Sequence, residues 1–339
     1  MSFSLFRLSV VRRWSRVAAW VAVVAVVLPG GLPLSAQEKK AKDAPPAEPE
    51  EVSLKTEDGV KLVLTYFPGT KSRESIPVIL LHAYKGSRQD YVKEGGLAPY
   101  LQEKLGCAVV VPDLRGHGES KSQKTLVHNK EKQIELNAKD FKANDFDAMV
   151  TQDLRAVKDF LWKKNNKEQL NIDKMVVVGT EMGGALALNF ALYDSLGYEQ
   201  RTVAYGPLKL GRFVKAAVLI SPDLSFRGVR TAQALGSAYL KANLPVLIVV
   251  GKDNRARFAD AEKLYGIFSK SRPPAEEANK ELLTVWYKKL DTSLPGNKLL
   301  DEESLGVPKI IGQFIYYRLV KNADEKEGKW QERKYPHQE

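Results

Sequence analysis

Short, unbroken runs of β-branched and other apolar residues recur along this chain: PVILLH near Val78, CAVVVPD near Val109, MVVVG near Val177, AAVLIS near Val218, PVLIVVG near Ile248 and LLTVWYKKL near Val285. Runs of this length without alternation read as strands buried on both faces. Between them lie stretches with helical spacing of apolar residues: Leu97 to Leu105, Phe146 to Trp162, Met182 to Leu196, Phe258 to Phe268 and Val307 to Leu319. Two-faced strands alternating with helices dictate an α/β fold, a mostly parallel sheet flanked by helices on both faces. Ahead of them, Val52 to Phe67 alternates polar and apolar residues about Asp58 and Gly59, which predicts an N-terminal β-hairpin. The chain's 339 residues, 44% of them apolar, suffice to build such a core.

The first residues stand apart from this rhythm. Arg7, Arg12, Arg13 and Arg16 precede the apolar run Val17 to Leu28, which Pro29, Gly30 and Gly31 break before the small residues ending at Ala36. That order of parts predicts a signal peptide over 1–36. The rival reading is a retained anchor, for which twelve apolar residues fall short of the roughly twenty that span a bilayer. An exported protein, periplasmic or extracellular, is therefore expected, with membrane attachment only through an uncleaved signal. Residues 37–51, rich in charge and proline, predict a disordered tether. The domain is expected over 52–322, with a polar insertion at 121–145 and a charged tail at 323–339.

Charge and cysteine usage narrow the classes further. Taking the four signal-peptide arginines from the 52 basic residues leaves 48 against 41 acidic ones. This mild excess is spread along the chain without interleaved aromatics, so no nucleic-acid partner is expected. Cys107 is the single cysteine, so an internal disulfide is impossible, and its place at the head of an apolar strand predicts a buried, unreactive thiol.

Chemistry is concentrated in VVVGTEMGGALAL, Val176 to Leu188, where a β-branched run reaches a glycine, turns over a few residues and enters a helix opened by Gly183 and Gly184. A strand, sharp turn and helix of this kind normally presents a nucleophile. With VILLHAYKGSR and VVVPDLRGHGES upstream, three motifs arrive in one order, and the chain resembles the α/β-hydrolase family over nearly all of Val52 to Asn322. The resemblance implies an elbow at Glu181, an oxyanion loop formed by Ala83, Tyr84 and Met182, and loops held by His82, Asp113, Arg115 and His117. It also implies an acid after the strand near Ile248 and a histidine after the last strand.

The family's pattern departs at each reactive position. Glutamate, as Glu181, stands where serine is expected; Asn254 stands at the acid position with Asp253 one place early; Asn297 stands at the histidine position. Without an imidazole in reach, base catalysis worth roughly a hundredfold to ten-thousandfold is missing. An elbow carboxylate at a helix N-terminus is expected to bond the Met182 or Gly183 amide, or at least to place a fixed negative charge beside the site, filling or repelling what an oxyanion would use.

Other arrangements compete. His82, His117 and Glu181 would make a metal cluster, against the simpler reading that both histidines hold loops, and no metal or other cofactor is expected. Glu181 with Asp223 or Asp253 would make a carboxylate pair for glycoside chemistry. Ser221 and Thr180 are substitute nucleophiles on paper, with local backbone hydrogen bonding as the plainer role. The reading reached is an exported, non-catalytic homologue that binds a small apolar or acyl-bearing ligand beneath the insertion, or a partner, with its oligomeric state open. The alternative is an esterase-like hydrolase using Glu181 as nucleophile or base, with His128 of the insertion as its sole further imidazole, since His337 lies in the tail.

Overall fold

A computed structural model describes residues 46–127, 130–205, 210–272, 283–321 and 328–333. The signal segment, most of the tether, His128 and His337 lie outside these residues. Contacts gather Pro46–Glu339 into one unit, which is described here.

The predicted hairpin forms from β1 (Glu50–Lys55) and β2 (Val60–Phe67), paired antiparallel with Val52 opposite Leu64. Its turn works because Gly59 takes φ +87°, a conformation that side chains resist. The apolar runs become β3 (Pro77–Leu81), β4 (Ala108–Pro112), β7 (Met175–Thr180), β8 (Val214–Ile220), β11 (Val246–Gly251) and β12 (Val285–Leu290). They pair in parallel in the order β12-β11-β8-β7-β3-β4, and β2 joins β4 antiparallel at one side.

The insertion is not the irregular excursion its polarity suggests. It forms β5 (Ser122–Val127) and β6 (Lys130–Glu135), which extend the sheet through β2. Their side chains are mostly exposed, so hydrophobic alternation, the usual signal of a strand, is missing. A separate ribbon of two short strands, β9 (Ser225–Phe226) and β10 (Val229–Arg230), lies beyond β8.

The main helices are α1 (Leu97–Leu105), α2 (Leu154–Asn166), α3 (Met182–Tyr205), α4 (Arg255–Lys270) and α5 (Val307–Tyr316). Successive strand residues point to opposite faces, and the core divides accordingly. Ile79, Val177 and Ile248 pack with Leu154, Leu186 and Leu264 on one face, whereas Leu80, Val178 and Val249 pack with Leu101, Ile311 and Phe314 on the other. Sheet and helices thus bury each other on both sides, as expected. At α1 the helix stops where Gly106 turns left-handed at φ +71° and donates its N–H to Gln102 and Leu101 carbonyls.

Residues 328–333, within the stretch expected as a charged tail, lie against the domain. The Trp330 indole donates to the Asn165 carbonyl at 3.2 Å, the Trp162 indole donates to the Arg333 carbonyl at 2.6 Å, and Arg333 pairs with buried Asp173. Apolar rings and one buried carboxylate hold this segment despite its overall polarity.

Candidate functional site

The loops that follow β3, β4, β7, β8, β11 and β12 meet at the carboxyl edge of the parallel sheet, the usual location of sites in such folds. Glu181 directly follows β7 and takes φ +52°. A left-handed conformation in a residue with a side chain costs about 1–3 kcal/mol, and backbone bonds hold it. The Glu181 N–H donates to the Ile220 carbonyl at 2.9 Å, while its own carbonyl accepts from Gly184 at 3.0 Å and Asp223 at 3.3 Å. A Cβ at Gly179 would strike the Gly183 carbonyl, and one at Gly183 would strike the carbonyl oxygens of Leu81 and His82. The glycines therefore allow the close strand–turn–helix approach that the motif implied, and they set the elbow directly beside the loop leaving β3.

The Glu181 carboxylate does not bond the amides at the start of α3: among the described residues no hydrogen bond runs from Met182 or Gly183 to it. Its Oε2 instead lies 3.9 Å from Nη2 of Arg257, whose Nη1 is 2.7 Å from Oδ2 of Asp223. The Glu181, Arg257 and Asp223 side chains are 24%, 26% and 11% exposed. On its other side Oε1 packs against Gly296, where an added Cβ would stand 2.7 Å away. Burial pushes the Glu181 carboxyl above its ordinary pKa, Arg257 opposes that rise, and the Asp223 charge adds to it. Glu181 and Asp223 thus come together as the sequence allowed, but with a guanidinium between them rather than a shared proton. Asp253 is exposed and takes no part.

The two positions that the resemblance assigns to an acid and a histidine carry amides. Asn254 caps α4, its Oδ1 accepting from the Arg257 N–H at 3.4 Å, a use for which asparagine is well suited. Asn297 precedes the short helix Lys298–Asp301, and its Oδ1 is buried without a hydrogen-bond partner. Adjacent Gly296 contacts Glu181, so the loop after β12 does reach the elbow where a histidine was expected from the family pattern.

Both described histidines serve loops. His82 is fully buried; Nδ1 faces the Ala83 carbonyl at 2.8 Å and Nε2 accepts from the Leu114 N–H at 3.1 Å. A carbonyl only accepts, so Nδ1 carries the proton and the ring is neutral, in line with burial lowering its pKa. Neither nitrogen is free for a metal or for a reacting carboxylate. His117 lies with its ring centroid 4.9 Å from that of His82 and directs Nδ1 to the Arg115 carbonyl at 3.0 Å. Burial and the neighbouring imidazole lower its pKa to about 4.

Asp113 accepts from the Arg88 backbone at 2.7 Å, the Arg88 guanidinium at 2.8 Å and the Glu119 N–H at 2.9 Å. Arg115 clasps Asp153 and Asp58. Asp153 ends a π-helical turn, Met149–Asp153, just ahead of α2. These residues hold the loop beyond β4. Thr180 is hydrogen-bonded to the Tyr91 hydroxyl at 2.7 Å, a side-chain partner rather than the backbone one anticipated. Ser221 departs further: its buried Oγ has no partner and its φ is +45°. Both residues are fully buried. Cys107 is buried, with its thiol pushed up to about 12.

The oxyanion-loop residues divide. Met182 begins α3 with its side chain buried, and Ala83 accepts from Gly86 in a tight turn. Tyr84 turns away to stack near Phe226, with centroids 4.9 Å apart, and carries the Arg227 guanidinium 4.7 Å above its ring. There it lines a cavity of about 260 Å³ beneath the insertion, together with Lys85, His117, Lys121, Glu135 and Lys139. A second cavity of about 330 Å³ lies remote from the elbow, against β1 and α2.

Arg257 was not anticipated from sequence. The available signal was a cation three residues after Asn254, one turn into a helix whose start faces the elbow; without knowing that Asn254 caps that helix, nothing aimed the arginine inward.

The comparisons agree with this topology. Residues 76–236 match the model of the family described as the alpha/beta hydrolase fold. No curated protein matches in sequence. An esterase of Pyrococcus furiosus superposes with a TM-score of 0.51 at 18% identity, covering 82% of this chain and 93% of its own. An esterase of Rhizomucor miehei gives 0.53 at 13%, covering 84% and 88%, and one of Pyrobaculum calidifontis gives 0.52 at 14%, covering 83% and 89%. At such identities the likeness is one of fold. Motif order, sheet order and elbow geometry together make this chain an α/β-hydrolase-fold protein.

Proposed function

We propose that this protein is an exported, non-catalytic member of that fold, retained to bind a small molecule or a partner at the carboxyl edge of its sheet. One observation carries the reading: the elbow carboxylate shares Arg257 with Asp223, and among the described residues no hydrogen bond joins an imidazole to it. A general base acts from about 2.6–3.2 Å or through one water. An ester on Glu181, if formed, would lack an activated water to release it. Export to the periplasm or the extracellular space rests on the arginine-then-apolar order of residues 1–36. No described helix is long and apolar enough to cross a membrane.

The ligand is a separate matter. The sequence favoured a small apolar or acyl-bearing molecule, whereas the cavity beneath the insertion presents lysines and a histidine. Such a lining suits a polar class of ligand better than an apolar one.

The second reading, hydrolysis by Glu181, draws on the raised pKa of a carboxyl at a strained apex. A panel of acyl esters tested on the purified protein separates the two. Absence of turnover supports binding, and turnover lost in Glu181→Gln supports hydrolysis.

A further inference from the structure

We infer that the end of α2, the turn Ile172–Lys174 and Arg73 together form a peptide-binding groove, which recognises an extended segment with glycine first, tryptophan third and arginine sixth. Gly328–Arg333, of sequence GKWQER, is its tethered ligand. The groove lies where β7 begins, at the opposite edge of the sheet from the elbow, and is independent of what the elbow does.

Side-chain amides read the segment's main chain. Nδ2 of Asn171 donates to the Gly328 carbonyl at 2.7 Å, and Nδ2 of Asn165 donates to the Gln331 carbonyl at 3.0 Å. Both asparagines are fully buried. Each is oriented from behind: the Asn165 oxygen accepts from the Ile172 N–H at 3.0 Å, and the Asn171 oxygen accepts from the Asp173 N–H at 3.1 Å. A backbone N–H only donates, so the two oxygens must face the domain and the two NH₂ groups must face the segment. At the segment's end Asn166 takes both main-chain groups of Arg333, accepting from its N–H at 2.9 Å and donating to its carbonyl at 2.8 Å. The Trp162 indole donates to the same carbonyl at 2.6 Å. Main-chain bonds of this kind serve any sequence and supply affinity.

Specificity comes from three positions. Gly328 takes φ +106°, which a side chain resists. The Trp330 indole donates to the Asn165 carbonyl at 3.2 Å, and its ring lies 4.3 Å from the Arg73 guanidinium, a cation–π pairing for which tryptophan is the best partner. Arg333 pairs with the buried Asp173 carboxylate, where a planar guanidinium suits better than an ammonium. Lys329, Gln331 and Glu332 are exposed and add no selectivity.

The segment contributes neither a strand to the sheet nor a helix to either layer. Six residues held by side-chain contacts open at lower cost than the domain beneath them. The asparagine amides keep their direction when that happens, because the bonds that orient them belong to the domain. Donors fixed in advance in this way distinguish a binding site from a surface to which a tail merely adheres.

Fluorescence anisotropy of a fluorescein-labelled GKWQER peptide tests this, with the full chain carrying Trp330→Ala and Arg333→Ala so that its own segment competes poorly. Saturable binding to this double variant is expected. Binding to the wild-type chain should be weaker by about tenfold or more, because a tethered ligand acts at high effective concentration. Replacing either the tryptophan or the arginine of the peptide with alanine should weaken its binding by about tenfold or more. Asn166→Ala, added to the double variant at a partly exposed position, should weaken it similarly. No saturable binding, or equal binding of the alanine-substituted peptides, would overturn the inference. A wild-type dimer that dissociates in the double variant would overturn occupancy by the chain's own segment and give the groove to a second copy.

Discussion

Arg257 stands 3.9 Å from the Glu181 carboxylate while holding Asp223 at 2.7 Å. One guanidinium thus neutralises two acids at the point where an active relative presents a nucleophile. Desolvated carboxylates that lose their only cation are left uncompensated, and Asp223 is the more enclosed of the two. Arg257→Ala is expected to lower stability at pH 7 by about 1–3 kcal/mol in urea melts. Asp223→Asn in the Arg257→Ala background should recover part of that loss. Full stability in Arg257→Ala alone would show the contact to be idle.

The loop after β12 supplies a second test. An added methyl group at Gly296 would stand 2.7 Å from Glu181 Oε1, at a backbone φ of +50°. Gly296→Ala should cost about 1–3 kcal/mol, and less when Glu181→Ala removes the opposing carboxylate. Simple additivity in this double-mutant cycle would mean that the two residues do not touch.

Backbone conformation at the elbow is testable without chemistry. Because Glu181 has φ +52°, glycine suits the position better than alanine. Glu181→Gly should be more stable than Glu181→Ala by about 1 kcal/mol in denaturant titration. The reverse order would place residue 181 in an ordinary conformation.

Acid should weaken the fold through His117. Its pKa is about 4 in the folded protein against an ordinary 6.5, so the folded state takes up its proton later than the unfolded chain does. The associated stability is complete above pH 6.5 and is lost as the pH falls through 4, on the order of 3 kcal/mol in all. His82, also lowered by burial, acts in the same direction. Urea melts between pH 7 and pH 4 should show the decline, and His117→Gln should reduce its slope. An unchanged slope in that variant would contradict this assignment.

Much of the frame was legible because its residues obey one rule each. Runs such as Val176–Val178 have no polar face and so had to be buried strands, and Leu97–Leu105 ends at a glycine that becomes its left-handed cap. The elbow was legible because Gly179 and Gly183 are needed for backbone contact. What escaped notice depended on three-dimensional partners. The β5–β6 hairpin is exposed and held by backbone pairing to β2, which leaves no hydrophobic pattern. Asn254 looked like a displaced acid, whereas a helix cap explains it. Arg257 and Asp223 lie far apart in sequence, and nothing in either neighbourhood announces that their side chains meet.

The proposed function requires that the elbow carboxylate perform no ester chemistry. Initial rates of p-nitrophenyl butyrate hydrolysis, measured side by side for the wild-type protein, Glu181→Gln and a buffer blank, test it most directly. The same rate is expected in all three. Saturable wild-type turnover that disappears in Glu181→Gln would contradict it.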